Sequence, residues 1–178
     1  MHQSVLVILL VLLLAIGTAL NLVRKGDLTV PTIPHTYRLT GAYERSRVQE
    51  VIDGDTFILT NGEHIRTIGI NAPEIAHDGS TAECFGEEAK NAAKTLVEGK
   101  IVSLLADTEE RDVYGRLLRY VFVGTTFMNE ELVRHGMART LPIEPNTRFQ
   151  SVFQLAQQEA KNRSVGLWGK CMRVFVDK

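Results

Sequence analysis

Between Val48 and Ile70 the chain alternates short apolar runs with tight-turn residues, and this pattern restricts the fold more than any other feature. Val48–Ile52 and Thr56–Leu59 carry β-branched and aromatic residues and are joined by Asp53-Gly54-Asp55. Such runs are too short to make stable helices and suit a pleated, half-buried surface. Asn61-Gly62 follows, a dipeptide that favours the left-handed geometry of a two-residue hairpin turn. His64–Ile70 then alternates and is rich in isoleucine, and Asn71-Ala72-Pro73-Glu74 stops it, because proline has no N–H to give a ladder. The three runs predict an antiparallel meander.

The elements that follow keep the runs short. Ala89, Ala92, Ala93, Leu96 and Val97 recur at helical spacing over about 87–97, with acids in the first turn and Gly99 beyond the last. Ile101–Leu105 and Leu117–Val123 are the fourth and fifth strands, separated by a charged loop over 107–116. Asn129 is read as the cap of a short helix that ends at Gly136. A third helix over about 148–163 buries Phe149, Val152, Phe153, Ala156 and Ala160, and Trp168 is expected to close the core. Three strands, a helix, two strands and two helices give an α+β order. A five-stranded meander interrupted by a helix is how an OB-type Greek-key barrel reads, here with three helices.

The chain has 20 Lys and Arg against 21 Asp and Glu, a net charge of -1. That excludes coating nucleic acid by bulk charge, so any polyanion must be held at a local site.

The N-terminus sets a separate expectation. Val5–Val23 is 19 residues without a charge. At about 1.5 Å per residue, a helix of that length just spans a hydrocarbon core of roughly 30 Å. Residues 1–23 are therefore read as a membrane anchor, with a cleaved signal peptide and a secreted product as the alternative. Residues 24–45, with Pro31, Pro34 and Gly41, are read as a linker, 46–171 as the domain and 172–178 as a tail. Arg24-Lys25 would hold the C-terminal side in the cytoplasm. Cys84 and Cys171, an even pair in a membrane-targeted chain, point instead to a disulfide and an extracytoplasmic domain. Two unrelated buried thiols are the other possibility.

Four charged residues lie in or beside the strand runs. Asp55 is either a hard oxygen ligand for Ca²⁺ or a turn residue bonded to its own backbone, and Asp53 suits the turn role better. Arg66, inside an apolar strand, is either a solvent-facing charge or a fork for a phosphate. Glu74 is a loop acid or a general base. Arg116 is surface charge or a stabiliser of charge building on phosphoryl oxygens.

Together these residues form a known pattern. Val51-Ile52-Asp53-Gly54-Asp55-Thr56, Ile65-Arg66 through Asn71-Ala72-Pro73-Glu74, Phe85-Gly86-x-Glu88-Ala89, Asp112-x-Tyr114-Gly115-Arg116, Asn129-x-x-Leu132-Val133-x-x-Gly136-x-Ala138 and Gly166-Leu167-Trp168 occur in order over about 46–170. This resembles the staphylococcal nuclease family. The resemblance implies an OB-fold phosphodiesterase, monomeric in its catalytic domain, that uses Ca²⁺ to cut single-stranded DNA and RNA to 3′-phosphate products. It implies metal ligation by Asp55, Asn71 and the Ala72 carbonyl. It implies a base or water-orienting role for Glu74, phosphate binding by Arg66 and Arg116, and nucleotide contacts from Asp112 and Tyr114. A barrel of this family without catalysis, serving as a binding module, is the alternative.

Two positions depart from the family pattern. Asn71 stands where the family usually has Asp, which keeps an oxygen but removes a charge and should weaken Ca²⁺ binding. The stretch Arg139–Pro145 lacks the base-stacking tyrosines found in some members.

Overall fold

The computed structural model describes residues 42–76, 79 and 81–171. The expected span at 5–23, the linker up to residue 41 and the tail at 172–178 lie outside the described residues. Among the described residues, no helix is long and apolar enough to cross a membrane.

The meander forms as β1 (Glu44–Val51), β2 (Thr56–Leu59) and β3 (His64–Thr67). β1 begins at Glu44, two residues before the expected domain start. It serves two neighbours: Val48–Val51 pairs with β2, and Glu44–Arg47 pairs with β5 (Ile101–Leu105). A register shift between Val48 and Glu50 gives β1 the bend that lets it pass from one neighbour to the other. β5 pairs with β6 (Leu117–Val123), and β6 returns to pair parallel with β3, closing a five-stranded barrel. Closure leaves no free edge among these five strands.

The third run does not continue to Ile70 as one strand. It breaks at Ile68-Gly69 and resumes as β4 (Ile70–Asn71), which pairs with β8 (Arg139–Thr140) outside the barrel. β7 (Thr126–Phe127) folds back on β6. Among the described residues there are three helices of seven or more residues: α1 (Gly86–Val97), α2 (Met128–Arg134) and α3 (Gln150–Asn162). A fourth, α4 (Leu167–Lys170), is one turn. Alanines 89 and 93 with Val97 form the buried face of α1, and Phe153, Ala156 and Ala160 that of α3, at the spacing the sequence shows. Phe122, Phe127, Phe149 and Phe153 gather with Tyr120 in the core, Phe122 stacking on Phe127 at 4.3 Å.

Two expectations about single residues are corrected. Asn129 does not cap α2, whose flanking residue is Phe127. It is fully buried and bridges two elements: its Oδ1 accepts from the Val121 N–H at 3.0 Å and its Nδ2 donates to the Ile68 carbonyl at 2.9 Å. An amide suits this task because it offers both a donor and an acceptor to a break in the strand. Trp168 does not close the core; Leu167 does, while Trp168 is half-buried under Lys161, whose Nζ lies 4.6 Å from the ring.

The fold places chemistry-bearing loops on one rim. Gly54 makes this possible in the turn between β1 and β2, where a Cβ would stand 2.5 Å from the Ala72 Cβ and 3.0 Å from that of Ala89. Any side chain there would push the β1–β2 turn away from the segment after β4. Replacing Asn129 by Ala leaves a buried N–H and a buried carbonyl without partners. It should cost on the order of 3 kcal/mol, read as a lower urea midpoint with an unchanged slope.

Candidate active site

Asp55 lies at the end of the Asp53-Gly54-Asp55 turn and is only 4% exposed. Asp53 shapes that turn, its Oδ1 accepting from the Asp55 N–H at 2.9 Å. This is the local side-chain bond that makes aspartate a turn former. The Asp55 carboxylate faces three donors. Its Oδ1 accepts from the Thr56 hydroxyl at 3.0 Å and meets Arg66 Nε at 3.2 Å, and its Oδ2 accepts from the Ala72 N–H at 2.7 Å. Thr67 holds the backbone of the same residue, its N–H and Oγ1 both donating to the Asp55 carbonyl. Thr56 and Thr67 were not singled out as site residues from the sequence. The available signal was their position directly beside Asp55 and Arg66.

Burial, the largest influence, pushes the Asp55 carboxyl up to about 6; the neighbouring Arg66 charge works against this and Asp53 adds to it. This raised value gives a definite sign to stability. Asp55 favours the fold fully below its unfolded value of 3.8, and that contribution is lost as pH rises through about 6.

Arg66 is the hub of the site. Besides Asp55, its Nη1 donates to the carbonyls of Thr67 at 2.7 Å and Ile70 at 2.8 Å, and its Nη2 donates to Asn71 Oδ1 at 3.0 Å. Of its five N–H donors, one on Nη2 is left for an external oxygen. The strand break at Ile68-Gly69 is what curls the chain so that these carbonyls face back onto the guanidinium. Arg66 also lines a cleft of about 600 Å³, with Asp112, Tyr114 and Arg116 on the opposite loop and Leu141, Ile143 and Glu144 along another wall.

Arg116 is held by its own loop. Its Nε donates to Asp112 Oδ2 at 2.7 Å, while Asp112 Oδ1 accepts from the Tyr114 and Arg116 N–H groups. Burial alone would push the Asp112 carboxyl up, but the Arg116 side chain and the two backbone donors outweigh it and hold the group below its ordinary value. Asp112 thus organises the turn and aims Arg116, whose Nη groups are left for the cleft. Tyr114 is 81% exposed, with Arg116 Cζ 5.4 Å from its ring. Leu141 and Ile143 occupy a wall that offers apolar side chains and no ring to a base.

Asp55, Arg66, Asn71 and Ala72 are thus brought into direct contact, and Arg66, Asp112, Tyr114 and Arg116 share the cleft. Glu74 lies two residues past Ala72 and is exposed, and it does not line the cleft. Its backbone is pinned by Glu83, whose N–H donates to the Glu74 carbonyl at 2.9 Å and whose Oε2 accepts from the Glu74 N–H at 3.3 Å. Nothing in the sequence pattern singled out Glu83. Cys84 and Cys171 are joined by a disulfide, their Cα atoms 5.9 Å apart.

The donor set suits a hard cation. Asp55 Oδ2, Asn71 Oδ1 and the Ala72 carbonyl are all oxygens, and Asp55 Oδ2 and Asn71 Oδ1 each show a single hydrogen bond. Among the described residues, no three His, Cys, Asp or Glu side chains cluster to hold a metal. One buried carboxylate with neutral oxygens fits Ca²⁺ at reduced charge, and does not fit zinc or another soft metal.

A closed barrel with a buried carboxylate, two arginines and an open cleft on one rim defines a phosphodiester-directed enzyme. Comparison with known proteins gives the family. A model of the family described as "Staphylococcal nuclease homologue" matches residues 64–170. A thermonuclease of Staphylococcus intermedius is 34% identical over 124 residues, 68% of this chain and 74% of that one. Endonuclease YncB of Bacillus subtilis is 36% identical over 128 residues, 69% of this chain and 61% of that one. The chain belongs to the staphylococcal nuclease family, and it is a nuclease acting on nucleic acid.

In metal-free protein the Asp55 carboxyl should titrate near 6 by NMR. Asn71→Asp should raise it further, because a second carboxylate disfavours ionisation, and added Ca²⁺ should lower it in both proteins. A value that falls in Asn71→Asp without metal would contradict this account of the site.

Proposed function

We propose that the chain is a Ca²⁺-dependent phosphodiesterase that cleaves single-stranded DNA and RNA to 3′-phosphate and 5′-hydroxyl ends. The observation that carries this reading is the position of Arg66. One guanidinium contacts the Asp55–Asn71 oxygen cluster and faces the cleft that also holds Arg116. Asp55, Asn71 and the Ala72 carbonyl would hold the ion, which when bound offsets negative charge on the scissile phosphate.

The side chains do the rest. The remaining Nη2 donor of Arg66 and the Nη groups of Arg116 bind the phosphoryl oxygens and stabilise the charge that grows on them. Glu74 takes a proton from the attacking water as its oxygen bonds to phosphorus. The P–O5′ bond breaks, and the 5′-oxygen takes a proton from solvent. Tyr114 offers a ring to the nucleotide, and the Leu141–Ile143 wall replaces stacking with apolar contact, which lowers discrimination between bases.

We further propose that the apolar run 5–23 tethers the enzyme to a membrane, with the monomeric catalytic domain on the extracytoplasmic side. The disulfide supports that side, since such bonds persist outside the reducing compartment.

The purified chain, incubated with single-stranded DNA and Ca²⁺, should cleave it, and a chelator should stop the reaction. Binding without cleavage would overturn the reading. Glu74→Ala, Arg66→Ala and Arg116→Ala should each lower kcat by about two orders of magnitude or more while the circular dichroism spectrum is kept. Asn71→Asp should bind Ca²⁺ more tightly by calorimetry, since it restores a charge to the ligand set.

A further inference from the structure

The disulfide sits next to the residue that grips Glu74. Cys84 directly follows Glu83, and Glu83 bonds both backbone polar groups of Glu74. Two residues after Cys84, Gly86 packs so tightly on the Glu74 carbonyl that any Cβ there would strike it. The Gly86 N–H also donates to the Glu83 carbonyl at 3.0 Å. Residues 83–86 therefore form a clamp on the segment that carries Glu74. Phe85, within the clamp, has a left-handed φ of 77°. A phenylalanine adopts that geometry only where the surroundings impose it.

The other end of the bond is rigid. Cys171 is buried and ends α4, its N–H donating to the Leu167 carbonyl at 3.0 Å. Leu167 fills the core, and its N–H donates to the Gly136 carbonyl at 2.9 Å. Lys170 also reaches across to the Phe85 ring, at 5.6 Å. The bond thus fastens an exposed clamp, through Cys84, to a buried anchor across 87 residues of sequence.

We propose that Glu83 and the Cys84–Cys171 disulfide form one positioning device for Glu74, so that turnover by this nuclease requires the bond to be closed. Glu83 is a positioning residue: it acts through Glu74 and touches no substrate. The inference rests on the role of Glu74 given above. Opening the bond takes two electrons from a dithiol. One thiolate of the reductant attacks the exposed Cys84 sulfur, the S–S bond breaks, and Cys171 leaves as a thiolate and takes a proton. The second thiol of the reductant then attacks the mixed disulfide, closes its own ring and releases Cys84 as a thiol. The clamp then keeps its continuity with α1 and the Lys170–Phe85 contact, but loses its covalent tie to the anchor. In a reducing compartment the enzyme would be folded but slow, and in an oxidising one it would be active.

The test measures kcat and KM of the full chain on single-stranded DNA, oxidised and after reduction by dithiothreitol. Alkylation reports the state of the bond, and circular dichroism reports the fold. Reduction should lower kcat about ten- to a hundred-fold with KM little changed, the signature of a mis-set catalytic group, and reoxidation should restore it. Glu83→Ala and Gly86→Ala, with the bond intact, should lower kcat in the same way, and Glu83→Gln should keep most of it because the amide still accepts from the Glu74 N–H. These variants decide the matter if the reduced chain unfolds. In Glu74→Ala, reduction should cause no further loss. Hydrogen exchange should show the Glu83 amide released on reduction. An unchanged kcat with the bond open, full kcat in Glu83→Ala, or a further loss on reducing Glu74→Ala would each overturn the proposal. An oxidised wild-type chain with no activity at all would instead sink the functional reading, and exchange at Glu83 would still decide whether the clamp exists.

Discussion

The site depends on one buried ion pair, Arg66 with Asp55. A carboxylate as enclosed as Asp55 is costly, and its raised pKa reports that cost. Arg66 offsets part of it, and three further contacts, to Thr67, Ile70 and Asn71, hold the guanidinium in place. Those to Ile70 and Asn71 exist because the chain breaks at Ile68-Gly69 instead of running on as a strand. Asn129, from the helix behind, takes up the Ile68 carbonyl that the break leaves over. The break after β3, the buried amide in α2 and the Asp55–Arg66 charge pair are therefore one arrangement. A buried acid with a raised pKa is a pattern common to functional sites.

Most of the barrel was legible in the sequence because each strand carries its own signal. The turns at 53–55 and 61–62 and the alternation through β3 act locally, and the helices α1 and α3 show their buried faces by spacing alone. The break in the third run was not legible. Ile65 to Ile70 has the periodicity of a single strand, but it splits at Gly69, whose φ of 79° is not a strand's, with Arg66 bonded to the Ile70 carbonyl and β8 paired with Asn71 beyond the break. Asn129 misled for a related reason. Its type and its place before an apolar run fit a cap, but a buried amide can serve strands that are distant in sequence. Trp168 misled by size, since a large aromatic need not be the residue that fills the core when Leu167 is beside it.

The site was legible in part. Asp55 and Arg116 stand directly before β2 and β6, and Arg66 stands inside β3, positions that the runs of the sequence mark out. The bonding of Arg66 was not, because carbonyl acceptors are present at every residue and leave no mark on sequence. Asn71 shows what this hides. Its oxygen, read from the sequence only as a weakened ligand, anchors Arg66. Asp112 shows the reverse: a residue expected to meet substrate spends its carboxylate on the loop that aims Arg116.

Barrel closure carries a consequence for when this enzyme can act. β3 and β6 are joined by parallel pairing, with Ile65 opposite Leu117 and Arg66 opposite Leu118. Pairing between segments so distant along the chain requires a long loop to be closed before its contacts can form. Arg66 and Arg116 flank that seam, so they share a surface only once it has zipped. A nascent or unfolded chain carries every residue of the site and none of its geometry.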